Sequence, residues 1–142
     1  AEGDVIIDGG FEGTVVRIVA DKATFQGFKV INSGDNHTQS DACVEVSGNQ
    51  NQLISNKIEN CFFGIKVKDS IKGLFKDNEI SSYKDKDVSD RGDGFFVWNS
   101  HNNEFVNNHI TFVRDFSLTN VTIFSATRRA APIVPKRSRS WL

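Results

Sequence analysis

Apolar and polar positions along this chain repeat as a short phrase: an apolar residue, Asn three positions later, and Ile two after that. It occurs as Leu53/Asn56/Ile58, Phe75/Asn78/Ile80 and Phe105/Asn108/Ile110, with a weaker copy at Phe25/Phe28/Val30. From the weak copy onward, the spacings are 28, 22 and 30 residues. A second phrase recurs in step with it, as Cys43-Val44-Glu45-Val46, Gly64-Ile65-Lys66-Val67 and Gly94-Phe95-Phe96-Val97. The alternation of Val44 with Val46, Ile65 with Val67 and Phe95 with Val97 predicts short strands with one face inward. A repeat of this size predicts a solenoid, in which each copy buries its apolar face against its neighbours. A leucine-rich repeat has a similar period but needs an inward column of Leu, and the chain offers only Leu53, Leu74, Leu118 and Leu142. The expected fold is an all-β, right-handed parallel β-helix of four to five coils, incomplete at its C-terminal end.

In-register coils place Asn56, Asn78 and Asn108 above one another at roughly the 4.8 Å spacing of neighbouring strands. Asn tolerates the left-handed backbone of a tight turn, so these residues are expected to occupy one. Each amide can also bond the Asn of the next coil, forming a ladder that satisfies buried polar groups. Coils longer than the shortest repeat must place their excess outside. Two loops take it, Ser33–Asp41 and Ser81–Gly92, and both leave the same corner of the coil. Insertions gathered on one side of a solenoid form its binding face, so function is expected there.

The pattern gives out after Thr111. Val113-Arg114-Asp115 and Phe116-Ser117-Leu118 follow without the glycine that opens the other copies. Beyond them the chain lacks a ladder Asn, turns basic and holds both prolines, Pro132 and Pro135. The expected division is therefore repeats over residues 1–115 and an atypical basic tail over 116–142. That tail reads as an end-cap, a disordered extension or the product of a truncated or frame-shifted gene, the last being favoured.

Charge sharpens that division. Residues 1–113 carry 11 Lys/Arg against 17 Asp/Glu, whereas 114–142 carry six against one. The overall balance of −1 recruits neither nucleic acid nor acidic lipid, and the tail, even with Trp141, lacks a fold with which to grip nucleic acid. No apolar run approaches the roughly 18–20 residues that span a bilayer, and no signal peptide stands at Ala1. Cys43 sits at the column of Gly64 while Cys61 lies three positions before it, so two buried thiols are expected rather than a disulfide.

Three segments, Thr24–Gly34, Asn60–Ser70 and Arg91–Ile110, resemble the NosD family of periplasmic copper-binding maturation proteins of nitrous oxide reductase. Ile31-Asn32-Ser33-Gly34 stands where that family has R-N-S-G, and Asp41-Ala42-Cys43-Val44 where it has D-A-G-I. Phe63-Gly64-Ile65-Lys66-Val67 matches F-G-I-Y-L, and the run Gly92–Ser100 through Trp98-Asn99-Ser100 matches G-N-G-I-H-L-W-N-S. The resemblance covers roughly residues 4–115. It implies copper handled rather than held as a cofactor, and delivery to nitrous oxide reductase with ABC transporter subunits or a copper chaperone as partners. It also implies a periplasmic location and no catalysis. The wider likeness to carbohydrate-binding and carbohydrate-cleaving β-helices supplies the alternative, with a polysaccharide as ligand.

Neither reading assigns a catalytic or cofactor-binding residue, and the metal ligands are left unassigned. His37, His101 and His109 are scattered through turns and loops, and the chain has no Met for soft copper. Asp85, Asp87, Asp90 and Asp93 have a spacing that can gather Ca²⁺, but Lys84, Lys86 and Arg91 are interleaved and a solvated loop is the plainer account. Asp41, Asp69, Asp77 and Asp93 are the carboxylates from which a hydrolase pair would be drawn. Arg91-Gly92-Asp93 spells an adhesion tripeptide and is read as coincidence. Phe62, Tyr83 and Trp98, if exposed, could stack on sugars, although Phe62-Phe63 precedes a strand and core packing between coils is the plainer account of that pair.

Overall fold

The computed structural model describes residues 5–115 and, as backbone, 117–128. The first coils comprise β1 (Val5–Asp8), β2 (Val16–Val19), β3 (Thr24–Gln26), β4 (Phe28–Ile31), β5 (Ala42–Asn49), β6 (Gln52–Ile54) and β7 (Lys57–Glu59). They are followed by β8 (Phe63–Ile71), β9 (Leu74–Lys76), β10 (Glu79–Ser81), β11 (Phe95–Thr111) and β12 (Ser117–Arg128). Strands pair in parallel with the strand one coil away, giving three stacked columns: β2-β5-β8-β11, β3-β6-β9-β11 and β1-β4-β7-β10-β11. The unbroken β11 serves all three columns of its coil, meeting β8, β9 and β10 in turn. This is a parallel β-helix.

The two sequence phrases mark its inward columns. Phe25, Leu53, Phe75 and Phe105 stack in register, as do Val30, Ile58, Ile80 and Ile110. Val16, Val44, Ile65 and Phe95 form a third column. In the middle coils these side chains are buried, each full burial stabilising by about 1.5–3 kcal/mol. Phe75 and Phe105 stack at 5.1 Å, and Phe95 meets both edge-on. In the first coil Val16, Ile18, Phe25 and Phe28 are only partly covered.

The Asn ladder forms as expected. Asn78 Oδ1 accepts from the backbone N–H and the amide of Asn56 at 3.0 and 3.2 Å, and Asn108 Oδ1 does the same for Asn78 at 3.0 and 3.0 Å. Each ladder amide also reaches back to the preceding coil, Asn78 to Leu53 O and Asn108 to Phe75 O. One expectation is corrected: the left-handed turn belongs to the residue before each ladder Asn. Ser55, Asp77 and Asn107 have φ of 54°, 56° and 54° and each precedes a ladder Asn, while Gly27, with φ of 77°, holds the same station ahead of Phe28. A second amide station lies between the first and second columns, where Ala23 N–H donates to Asn51 and Gly73 N–H to Asn103.

The cysteines are also corrected: Cys43 and Cys61 form a disulfide with Cα atoms 5.6 Å apart. Register counting treats the chain before β8 as if it continued the strand. The register itself is as expected, with Ala42 paired to Phe63 and Cys43 therefore opposite Gly64, but the short corner ahead of Phe63 turns inward and brings Cys61 against Cys43. Beyond residue 115, β12 pairs with β11 from Phe96↔Ser117 to Asn108↔Arg128, with three register shifts. Strand pairing thus runs on past the point where the side-chain pattern stops. Residues 116 and 129–142 lie outside the described residues, and the expectations for the rest of the tail lie there with them.

Candidate functional site

Among the described residues the connections from the third column to the first differ sharply in length, the earliest of them, β1–β2, spanning 9–15. The β4–β5 link spans 32–41 and the β10–β11 link spans 82–94, but the β7–β8 link between them is only Asn60, Cys61 and Phe62. Two long loops therefore flank a short one, and a hollow is left over the short corner. As expected, both insertions leave the same corner; there they also lock onto each other.

The first loop is braced by its own polar groups. Asp41 Oδ2 accepts from Asn36 N–H at 3.0 Å, and Asn36 Oδ1 accepts from Gln39 N–H at 3.0 Å. Ser33 Oγ donates to Gly34 O and accepts from Phe62 N–H, tying the loop to the short corner. The second loop contains a 3₁₀ turn at Val88–Asp90 and is folded back by Arg91, whose guanidinium donates to Tyr83 O and Lys84 O. Between the loops, Tyr83 OH donates to Gly34 O at 3.3 Å and Lys86 pairs with Asp35 at 3.6 Å, while His37 of the first loop meets Phe62 of the short corner edge-on at 5.7 Å. Underneath, Ala42, Phe62, Phe63 and Tyr83 form a small second core, with Phe96 packed against it. Burial pushes the Tyr83 phenol above its ordinary range, the neighbouring Ser33 hydroxyl works against it, and the charges of Asp35 and Asp41 push it further.

The resulting cleft of about 430 Å³ has Phe62 as its floor and Asp35, His37, Lys86, Ser89, Asp90 and Arg114 around it. Arg114 is held from behind by the buried Asp93, at 3.5 Å. A smaller hollow of about 230 Å³ lies across the Asp35–Lys86 pair, towards Phe11 and Asn60. A larger shelf of about 630 Å³ lies elsewhere, against β9, but only Lys72 and Glu104 bring charge to it. The corner is the better candidate because it gathers more charged side chains, a ring floor and interlocked loops.

The structure sorts the sequence candidates. Asp85, Asp87 and Asp90 are exposed on the second loop while Asp93 is buried beneath it, so the four do not form one cation cradle. Asp69 and Asp77 are left-handed corner residues, the former accepting from Asn99, and stand apart from Asp41 and Asp93 at the loop corner. The Arg91-Gly92-Asp93 tripeptide is folded in: Arg91 is spent on carbonyls, and a Cβ on Gly92 would stand 2.1 Å from Phe62 O. His37 lines the cleft, His101 pairs in register with Ile71, and His109 lies opposite Glu79. Among the described residues no group of three or more His, Cys, Asp or Glu is placed to hold a metal ion.

Phe62 and Phe63 are buried, as the core-packing account has it, and Tyr83 is buried too, so neither Phe62 nor Tyr83 offers a sugar platform; Trp98 is 42% exposed, beside Lys68 on the outer face of β8 and β11. On that same face Glu45 lies between Arg17 at 2.6 Å and Lys66 at 3.3 Å. Burial works to raise its pKa, but the Arg17 hydrogen bond and the two cationic charges together hold the carboxyl below its ordinary range. Sequence reasoning missed Arg114 and the disulfide. Arg114 follows the last recognisable repeat, and only the return of the coil brings its N–H to Gly92 O.

Stacked parallel coils with a charged cleft built from corner insertions define a loop-decorated parallel β-helix. The family described as right handed beta helix region matches residues 8–126, and the chain belongs to it. No curated protein and no solved structure matches the chain. Among the described residues no helix is long and apolar enough to cross a membrane.

Proposed function

We propose that this chain is a non-enzymatic binding module of an extracytoplasmic β-helix accessory protein, and that the loop corner is the face it presents to a partner. The observation that carries the reading is the interlocking of two insertions from alternate coil connections over one charged cleft. Loops fixed by Tyr83, Lys86 and His37 lose less freedom on binding than free ones. The Glu45 carboxyl, kept ionised by Arg17 and Lys66, is tuned for pairing rather than for giving up a proton near neutral pH.

Within this reading the NosD resemblance supplies the partner: copper delivery to nitrous oxide reductase, with ABC transporter subunits or a copper chaperone alongside. Copper is then cargo, and this chain meets the proteins that carry it. The disulfide supports a periplasmic setting, since such bonds persist in oxidising compartments. The test is calorimetric titration of the whole oxidised chain with purified apo nitrous oxide reductase and, separately, with a copper chaperone. Saturable binding that weakens at least tenfold in the Lys86→Glu variant is expected. Absence of heat with either protein contradicts the copper reading.

A second reading is favoured by one observation, the exposed Trp98 beside Lys68 on the open sheet face. An indole and a cation on a flat surface suit a polysaccharide. It predicts retention on an acidic polysaccharide, lost in Trp98→Ala.

A further inference from the structure

The disulfide sits where the loop corner is anchored. Cys43 follows Asp41 and Ala42, which close the first loop; Cys61 precedes Phe62, which floors the cleft. Both cysteines are fully buried, on the main-core side of the seam between the two cores. Across that seam, Phe62 N–H donates to Ser33 Oγ, Phe63 N–H donates to Asp41 O, and His37 rests on the Phe62 ring. Each of these contacts joins the first loop to the residues immediately after Cys61.

We propose that the Cys43–Cys61 disulfide is a redox latch for the cleft, which takes its binding shape only after the bond forms. This rests on reading the corner as the binding face. In the latching step the two thiols reduce a protein or small-molecule disulfide by thiol–disulfide exchange. Two protons and two electrons leave the cysteines, one S–S bond forms between them, and the oxidant's S–S bond becomes two thiols.

Two thiols stand further apart than two bonded sulfurs, so the reduced chain must find extra room. The main core cannot give it, because Cys43 is surrounded there by the in-register columns of β5 and β8. The three-residue corner can, by moving Cys61 and Phe62 outward. That motion parts Phe62 from Ser33 and His37 and unmoors the first loop. The Asn ladder stands between the second and third columns, across the coil, and stays intact. A chain still in a reducing compartment is thereby folded but without a formed cleft. Once formed, the bond is shielded from solvent reductants by its burial.

The test compares the whole oxidised chain with the same chain refolded in a phosphine reductant, by NMR. The expected result is loss of the His37–Phe62 ring contact and altered shifts across 33–41 and 59–63 in the reduced chain. The Asn56, Asn78 and Asn108 side-chain amides should keep their dispersed positions. A His37–Phe62 contact that survives reduction overturns the latch. So does loss of the ladder signals on reduction, which would make the bond a staple for the whole fold. Because no partner is needed, the latch can fail while the binding reading stands, and the reverse.

Discussion

The ladder corner and the loop corner of this solenoid solve the same problem, turning the chain from one sheet to the next, in opposite ways. At the ladder corner the step repeats after the first coil: a left-handed residue, then an Asn whose amide bonds a neighbouring coil. Length cannot vary there without breaking the stack. At the loop corner the connections differ severalfold in length, and the contacts of the two long ones are made by side chains rather than by a repeating amide. The repeated corner carries the fold, and the irregular corner is free to carry recognition. The short link over Cys61 shows that a cleft can arise simply from unequal neighbours.

The comparison breaks most readily at Asn78. Its side chain makes four buried hydrogen bonds, so Asn78→Leu strands partners in two coils. We expect a loss of about 3 kcal/mol by urea unfolding, on the scale of 1–3 kcal/mol for each unsatisfied buried group. A change below about 0.5 kcal/mol would show that the ladder is dispensable. Gly92→Ala comes next, since it tests the one place where the loop corner is as tightly fixed as the ladder. Its new Cβ would press on Phe62 O, and we expect about 2 kcal/mol, as for overpacking. An unchanged urea midpoint would mean that the second loop enters with slack.

Lys86→Ala should cost at most about 1 kcal/mol, because the Asp35–Lys86 pair is exposed. A double-mutant cycle with Asp35→Ala checks this, and a larger coupling would make the loop corner part of the structural frame. The smallest effect concerns acid. Glu45 has a depressed pKa in the fold, so its contribution is present at neutral pH and is lost as pH falls below the ordinary value of 4.5 and through the folded one. Glu45→Gln should flatten that part of a stability-against-pH curve measured by urea unfolding, leaving the slope from other carboxylates. An identical acid limb in both proteins would show that the Arg17–Glu45–Lys66 row adds nothing.

The ladder was legible in the sequence because Asn56, Asn78 and Asn108 keep a fixed distance from two apolar anchors, and a stacked backbone demands that distance. The left-handed positions were not, because Ser55, Asp77 and Asn107 share a conformation but no side-chain type. The Asn51/Asn103 station was hidden by Gly73, whose small size keeps clear of Asn103 Oδ1 and the Phe75 ring. The disulfide escaped because counting along strands does not follow a corner that turns inward. For the site, the two loops and their shared side could be read from where the excess length falls. Their mutual contacts could not: Tyr83 looks like a surface ring until the second core beneath the loops is seen.

The most direct test of the division between a structural and a recognising corner is hydrogen exchange on the oxidised chain, alone and saturated with apo nitrous oxide reductase. The account predicts slowed exchange in 33–41 and 82–94, with 52–58 and 74–80 unchanged. Slowing confined to 66–68 and 96–98, around Trp98, would contradict it and move recognition to the open sheet face.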